Sequence, residues 1–282
     1  MDNRPCVLHC HSHFSDGSFA PALIALKAMD IGLRAICLTD HDTVAGQAEF
    51  HYACARLGLD FLPALEITTH LLGEEIHLIA VGVDLHRAKE LDQFLTPNNA
   101  VHAYREQQYW QKFHNAGLIT DDLATVKGKL GFPAKFAFKY HWDDYRVRFC
   151  GIDPATANAE TRQGGVAFVP ATKQNYVPTL QTIDFIHQLG GLAIYAHPGS
   201  TVKGAPELFG KILETLIAAG LDGIEVFHPK NTEPNDFMAI AQHYHLLVSG
   251  GSDSHGRFTP KLSLAERSIT YDQFLLIKDQ LK

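Results

Sequence analysis

The segment Leu8-His9-Cys10-His11-Ser12-His13-Phe14-Ser15-Asp16-Gly17 brings His9, His11 and Asp16 to the end of a short β-forming run, Cys6–His9. Residues two apart on a strand face the same side, so His9 and His11 can chelate one ion. Cys10, between them, points the other way and reads as a small buried apolar residue. The same arrangement recurs down the chain. Thr39-Asp40-His41-Asp42 ends the run Ala35–Thr39, and Glu66 lies in the apolar run Phe61–Ile67. His77 starts the run Ile76–Val83, and Ala196-His197-Pro198 closes Leu192–Ala196. Gly251-Ser252-Asp253-Ser254-His255 follows Leu246–Ser249 and repeats the ligand-x-ligand spacing. A lone carboxylate such as Glu66 in an apolar strand is costly unless it is paired or metal-bound. Imidazoles and carboxylates without thiolates suit Mn, Fe or Zn. One polynuclear metal site, assembled from the whole chain, is the expectation.

Between these runs the sequence reads as helices: Pro21–Ile31, Val44–Leu57, Thr179–Leu189, Pro206–Ala219 and Pro234–Tyr244. Ser18 is a plausible cap for the first of them, with Pro21 in its first turn. Gly223–Phe227 is a further strand, ending at His228. Strands alternating with helices imply an α/β fold with a parallel sheet. Ligands at many strand ends favour closure into a barrel, because closure brings those ends together. The alternation breaks between about 97 and 176. Residues 1–96 and 177–282 are therefore read as a metal-binding barrel, and 97–176 as an inserted, mostly helical, substrate-capping subdomain.

Composition narrows the function. The 282 residues carry a net charge of −7, which argues against a broad nucleic-acid surface. The insertion holds ten Lys and Arg against seven Asp and Glu, leaving the remainder at −10. A basic insertion on an acidic host suits a lid that meets an anion. No apolar run reaches the roughly 20 residues of a membrane span, and no signal-peptide core follows Met1. Five cysteines without a CxxC spacing suggest reduced thiols and a cytoplasmic setting. His51, His102, His114, His243 and His245 fall in expected helices or at their ends and are read as surface or packing residues.

The motifs L-H9-C-H11-S-x-x-S-D16-G, T-D-H41-D, Glu66, His77, A-H197-P and G-S-D253-S-H255, taken in order, resemble the PHP family. Its members are the polymerase and histidinol phosphatase metal-dependent phosphoesterases. The resemblance covers about 5–90 and 180–270. It implies a distorted (β/α)7 barrel holding two or three divalent ions. By motif position, it implies His9, His11, Glu66 and Asp253 around a first ion. Glu66 would bridge to a second ion held by His77 and His197, and Asp16, His41 and His255 would hold a third. Members of similar length dephosphorylate nucleotides or small phosphate esters, or trim RNA from its 5′ end. They usually carry a Gly-Arg-Pro-His-Ile-Ala-Arg-like stretch that binds phosphate. Here the comparable place reads Gly131-Phe132-Pro133-Ala134-Lys135-Phe136, without that Arg and His. Lys135, Lys139, Arg146 and Arg148 are the candidates to replace them.

The chemistry expected is hydrolysis of a small phosphate monoester. Closely spaced cations neutralise phosphoryl oxygens and lower the pKa of a bridging water, so that hydroxide attacks phosphorus near neutral pH. Glu66 and His228 are the expected catalytic residues, with His228 as general acid or substrate contact. Asp40 and Asp42 are expected to orient imidazoles or, for Asp42, to cap a helix. A 5′-3′ exonuclease acting on short RNA or DNA ends is the alternative within phosphoryl chemistry. Hydrolysis of C–N or C–O bonds is a further alternative. Against it, no lysine stands at a strand end between Glu66 and His197. A purely structural metal site needs about four ligands, fewer than the nine here.

Overall fold

The structure is a computed structural model in which residues 2–170 and 175–281 are described. Residues 171–174, within the expected insertion, lie outside the described residues. The first half alternates as expected: β1 (Pro5–Val7), α1 (Pro21–Asp30), β2 (Ala35–Ile36), α2 (Gln47–Leu57), β3 (Ala64–Leu71) and β4 (Glu74–Val81). Five helices follow: α3 (Ala88–Phe94), α4 (Thr96–Asn115), α5 (Leu123–Leu130), α6 (Lys139–Cys150) and α7 (Pro154–Thr161). Then come β5 (Val177–Pro178), α8 (Thr179–Gln188), β6 (Leu192–Tyr195), α9 (Gly199–Gly204) and α10 (Pro206–Ala218). The chain ends with β7 (Gly223–Phe227), α11 (Pro234–Tyr244), β8 (Leu247–Gly250), β9 (Ile269–Thr270) and α12 (Tyr271–Asp279). Proline opens α1, α7, α10 and α11, where its missing N–H would have no helical partner.

The strands form a mixed α/β architecture rather than the wholly parallel one expected. One sheet has the order β2-β1-β9, and the other β5-β3-β4-β6-β7-β8. β3 and β4 are an antiparallel hairpin, and β4 also runs antiparallel to β6. Only Leu72 and Gly73 separate the two strands, too few residues for a parallel crossover. This reversal sets His77, the fourth residue of β4, opposite Thr68 on β3, two residues beyond Glu66.

The ladders do not make one closed ring, but single bridges join the two sheets on both sides. Cys10 pairs with Ser254, and the Leu8 N–H donates to the Gly250 carbonyl at 3.0 Å. On the other side Ala35 pairs with Asp60, and His41 with Glu66. Gly251 sits at the first junction. A Cβ there would stand 2.5 Å from His9 Cβ and 2.7 Å from its backbone nitrogen, so only glycine permits this approach.

Apolar side chains behind the sheets hold these strand ends in place. Leu65, Ile67, Leu78, Ala193 and Ile224 are fully buried, with α8, α10 and α11 supplying Ile183, Ile186, Ile212, Leu216 and Phe237. Phe50 of α2 and Ala25 and Ala28 of α1 cover Val7, Ile36 and Leu38. Helices α4 to α6 pack around an apolar cluster of their own, centred on Phe113, Trp142 and Val126. Two expectations need correction. Helix α2 begins at Gln47 instead of Val44, because Gln47 turns inward and donates to the Leu38 and Ala64 carbonyls at 2.8 and 2.6 Å. Ser18 does not cap α1. Its hydroxyl accepts from the Arg257 N–H and donates to the His255 carbonyl, tying the first loop to the last.

Gly251→Ala tests the junction. The added methyl should cost about 1–3 kcal/mol through overpacking and reduce metal retention by displacing His9. Thermal unfolding and metal analysis check both, and an unchanged melting temperature would contradict the close approach.

Candidate metal centre

All nine residues picked out by the sequence converge on one buried point. His9 and His11 extend from β1, His41 follows β2, and Glu66 lies on β3. His77 pairs with Thr68 across the β3–β4 hairpin, which puts it on the Glu66 face. His197 follows β6, and Asp253 and His255 follow β8. Glu66 is the hub and is 1% exposed. Its Oε2 lies 3.1 Å from His9 Nε2, 3.3 Å from His11 Nε2 and 3.3 Å from His41 Nδ1. Its Oε1 lies 2.9 Å from both His77 Nδ1 and His197 Nε2. One carboxylate thus divides five imidazoles between its two oxygens.

A second carboxylate completes the first set. Asp253 Oδ1 is 3.1 Å from His11 Nε2 and 3.6 Å from His9 Nε2. The donor atoms of His9, His11, Glu66 and Asp253 all lie within 4.8 Å of one another, as do those of His11, Asp16, His41 and His255, and those of His41, Glu66 and His77. His11 and His41 each face two sets. Asp16 Oδ2 is 3.1 Å from His255 Nε2, and the other ring nitrogen of His255 donates to the Asp253 carbonyl at 2.8 Å. That hydrogen bond leaves Nε2 of His255 as the donor atom facing Asp16.

The donor set fits divalent ions. Both ring nitrogens of His11, Nδ1 of His41 and Nε2 of His228 are buried without a hydrogen-bond partner of good geometry. Such atoms are rare in folded proteins unless they bind something. The electrostatics agree. Burial would raise the Glu66 carboxyl, but His9, His41 and His77 hold it well below the usual range. Asp253 behaves likewise, with Lys230 and His9 outweighing burial. Burial also opposes charge on His11 and His77. Even so, Asp253 and Glu66 bring His11 up to about 10, and Glu66 and Glu75 do the same for His77. Burial takes His41 down to about 4. The carboxylates demand positive charge, and in the metal-free chain protons on His9, His11 and His77 supply it.

The backbone is bent to reach this geometry. Asp42, His197 and Asp253 adopt left-handed conformations, with φ of 53°, 30° and 53°. Each costs about 1–2 kcal/mol for an L-residue, and such strain gathers at functional sites. Surrounding polar groups hold the turns. Asp40 accepts from the Ser12 N–H and from both the Ser12 and Ser15 hydroxyls at 2.6–2.7 Å. It clamps the loop that carries Asp16 instead of orienting an imidazole. Asp42 caps no helix. It accepts from the Thr68 N–H, Asn98 Nδ2 and His102 Nε2, at 3.0, 2.7 and 2.7 Å. His102, read from sequence as packing, therefore ties α4 to the loop of His41.

Sequence reasoning missed Glu225, Glu75 and Lys230. Glu225 Oε1 meets His9 Nδ1 at 3.0 Å, and its Oε2 accepts from the His197 N–H at 2.7 Å. It is a fully buried carboxylate in the apolar strand Gly223-Ile224-Glu225-Val226-Phe227, the same signal that exposed Glu66. Glu75 accepts from His77 Nε2 at 3.1 Å. Lys230 Nζ lies 3.0 Å from Asp253 Oδ2. His228, an expected catalytic residue, is buried beside the set with Nε2 at 3.4 Å from the same oxygen.

The basic residues expected to bind substrate divide sharply. Arg146 is spent inside the helical region, with two bonds to Glu160 at 2.8 Å and one to the Leu118 carbonyl. Arg148 pairs with Asp144 at 3.0 Å. Neither lines the pocket at the metal centre. That pocket, about 240 Å³, is walled by His41, His77, Tyr109, Phe136, Phe138, Tyr140 and Tyr176, with Arg105 and Lys139 also lining it; the Lys139 ammonium donates to Asp143 at 2.6 Å and to Asn158 at 2.9 Å. Lys135 flanks His41 in a smaller adjoining recess.

Two outcomes follow from this geometry. Metal must displace protons from His11 and His77, so affinity should rise with pH up to about 10 and binding should release protons. Calorimetry in two buffers of different ionisation enthalpy counts them, and no proton release would contradict the assignment. Glu225→Ala should weaken metal binding by about 10–100-fold, as loss of such outer partners does. Unchanged affinity would remove its orienting role.

The PHP domain model matches residues 8–147. A 5′-3′ exoribonuclease of Haemophilus influenzae is 30% identical over 258 residues, spanning 88% of this chain and 89% of that protein. A 3′,5′-nucleoside bisphosphate phosphatase of Chromobacterium violaceum is 24% identical over 88% of this chain and 86% of its own length. A solved structure from Bifidobacterium adolescentis, described as a candidate metal-dependent phosphoesterase, superposes with a TM-score of 0.85 at 26% identity. That match covers 98% of this chain and 96% of the other. With its ligand motifs in order and its length shared with these relatives, the chain belongs to the PHP domain family.

Proposed function

We propose that this PHP-family metal-dependent phosphoesterase hydrolyses a phosphate monoester of a small metabolite or nucleotide. The division of five imidazoles between the two oxygens of Glu66 carries this reading. We assign His9, His11, Glu66 and Asp253 to one ion, Glu66, His77 and His197 to a second, and Asp16, His41 and His255 to a third. Two or three ions of Mn, Fe or Zn suit these donors. When bound, they would neutralise phosphoryl oxygens and lower the pKa of water towards neutrality. The seven strands β1–β4 and β6–β8 are read as a distorted (β/α)7 barrel, supported by the single bridges between the two sheets. Residues 97–176 are read as the subdomain that caps it, supported by their separate apolar cluster. Five free thiols suit a cytoplasmic setting. Among the described residues no helix is long and apolar enough to cross a membrane.

The chain's own residues supply the rest. The oxygen of water bonds to phosphorus, the ester P–O bond breaks, and the leaving oxygen takes a proton to give an alcohol and inorganic phosphate. We assign His228 to give that proton. Its Nδ1 accepts from the Lys230 N–H at 3.0 Å, which leaves Nε2 facing Asp253 and the donor set. Lys139 and Lys135 border the recess for the organic part of the substrate. A second reading, exonuclease action on short RNA or DNA ends, is favoured by the pocket wall of Phe136, Phe138, Tyr140 and Tyr176 with Arg105, a setting suited to stacked bases.

Phosphate release from monoesters, nucleotides and 3′,5′-bisphosphates tests the first reading, and mononucleotide release from 5′-phosphorylated oligonucleotides tests the second, each with metal-loaded protein. Formation of neither product from any of them would overturn both. Glu66→Gln should lower turnover by more than the about 10–100-fold typical of outer-partner loss, together with metal content. Near-normal activity would contradict the bridging role.

A further inference from the structure

Lys230 belongs to none of the expected ligand or substrate residues, yet the fold builds its position with care. It sits in the turn after β7, closed by the Asn231 N–H donating to the His228 carbonyl at 3.0 Å. Asn231 is fully buried. Its Nδ2 donates to the Glu225 and Val226 carbonyls, and its Oδ1 accepts from the Gly199 N–H at 2.9 Å. A Cβ at Gly199 would stand 2.4 Å from the Lys230 carbonyl, so glycine is required for the turn to lie this close. The Lys230 backbone is thus wedged between the strand ends that bear His197 and His228.

The side chain reaches the donor set from there. Asp253 divides its oxygens: Oδ1 faces His9 and His11, whereas Oδ2 faces Lys230 Nζ at 3.0 Å and His228 Nε2 at 3.4 Å. Half of the Lys230 side chain remains exposed. Its head borders a pocket of about 200 Å³ whose walls include His77, His197, Ser200 and Thr201. An ammonium has three donors, and Asp253 takes one. The others are left for the pocket that Lys230 shares with His197.

We propose that Lys230 is a catalytic residue that binds the scissile phosphoryl group. Two of its N–H donors take non-bridging oxygens, and the third keeps Asp253 in place. The inference rests on the phosphoesterase reading of the site. The three equatorial oxygens of the transferring group carry negative charge through the transition state, so a fixed cation there assists reaction as well as binding. Through its backbone N–H the same residue holds the His228 ring with Nε2 towards Asp253. That contact survives substitution of the side chain, so the two contributions can be separated.

The test uses metal-loaded enzyme with Lys230→Met, Lys230→Gln and Lys230→Arg. Affinity for inorganic phosphate is read by calorimetry, metal content by elemental analysis, and kcat and KM on the best substrate of the wild-type enzyme. Both neutral variants should keep their metal. They should lose at least about 100-fold in phosphate affinity, the range of two charged hydrogen bonds, with a larger loss in kcat/KM. Lys230→Arg should recover most of the phosphate affinity. In the wild type, bound phosphate should slow reductive methylation of Lys230, followed by mass spectrometry. Wild-type phosphate affinity in the neutral variants would overturn the inference, as would affinity that falls only in step with lost metal, or methylation of Lys230 unaffected by phosphate. An inactive wild-type enzyme would instead overturn the phosphoesterase reading on which it rests.

Discussion

Glu66 is a carboxylate placed where water cannot reach it, and the surrounding structure answers that cost. Removing a carboxylate from water costs several kcal/mol even after relaxation. Five imidazoles face its two oxygens. Those imidazoles are in turn held by Glu225, Glu75, Asp16 and Asp253. A network of this kind is stable only when its charges balance. Protonated His11 and His77 would supply that charge without metal, and divalent ions held by the same residues would supply it in their place.

The backbone shows how strand ends from the whole chain were brought to this point. Gly251 lets the end of β8 touch His9, and Gly199 lets the turn after β7 touch the end of β6. Left-handed residues at Asp42, His197 and Asp253 turn the chain sharply where a ligand, or a ligand's neighbour, must face inward. Ser12, Ser15 and Asp40 fix one loop, and Thr68, Asn98, His102 and Asp42 fix another. The second set includes α4, so the helical region and the ligand His41 are mechanically joined. Substrate contacts made by that region can therefore bear on the geometry of the metal centre.

The residues of the candidate site were legible in the sequence because each has a strong local signature. A strand-end His-x-His or Asp-x-His pair sets two donors on one face, and a lone Glu in an apolar strand is costly to bury unless a cation meets it. Helix starts at Pro21, Pro206 and Pro234 were legible for a similar reason, since proline restricts what can precede it. The antiparallel β4 was not legible, because alternation of apolar residues carries no strand direction. Neither was the role of the basic residues. Arg146 and Lys230 look alike in sequence, and only tertiary structure sends one to Glu160 and the other to Asp253. Glu225 carried the same signal as Glu66 and was overlooked beside the more conspicuous His228.

If Glu66 joins adjacent ions, anomalous diffraction from crystals loaded with manganese should show at least two manganese peaks, with two of them sharing Glu66 as a ligand through its separate oxygens. A single peak, or peaks that leave Glu66 uncoordinated, would contradict it.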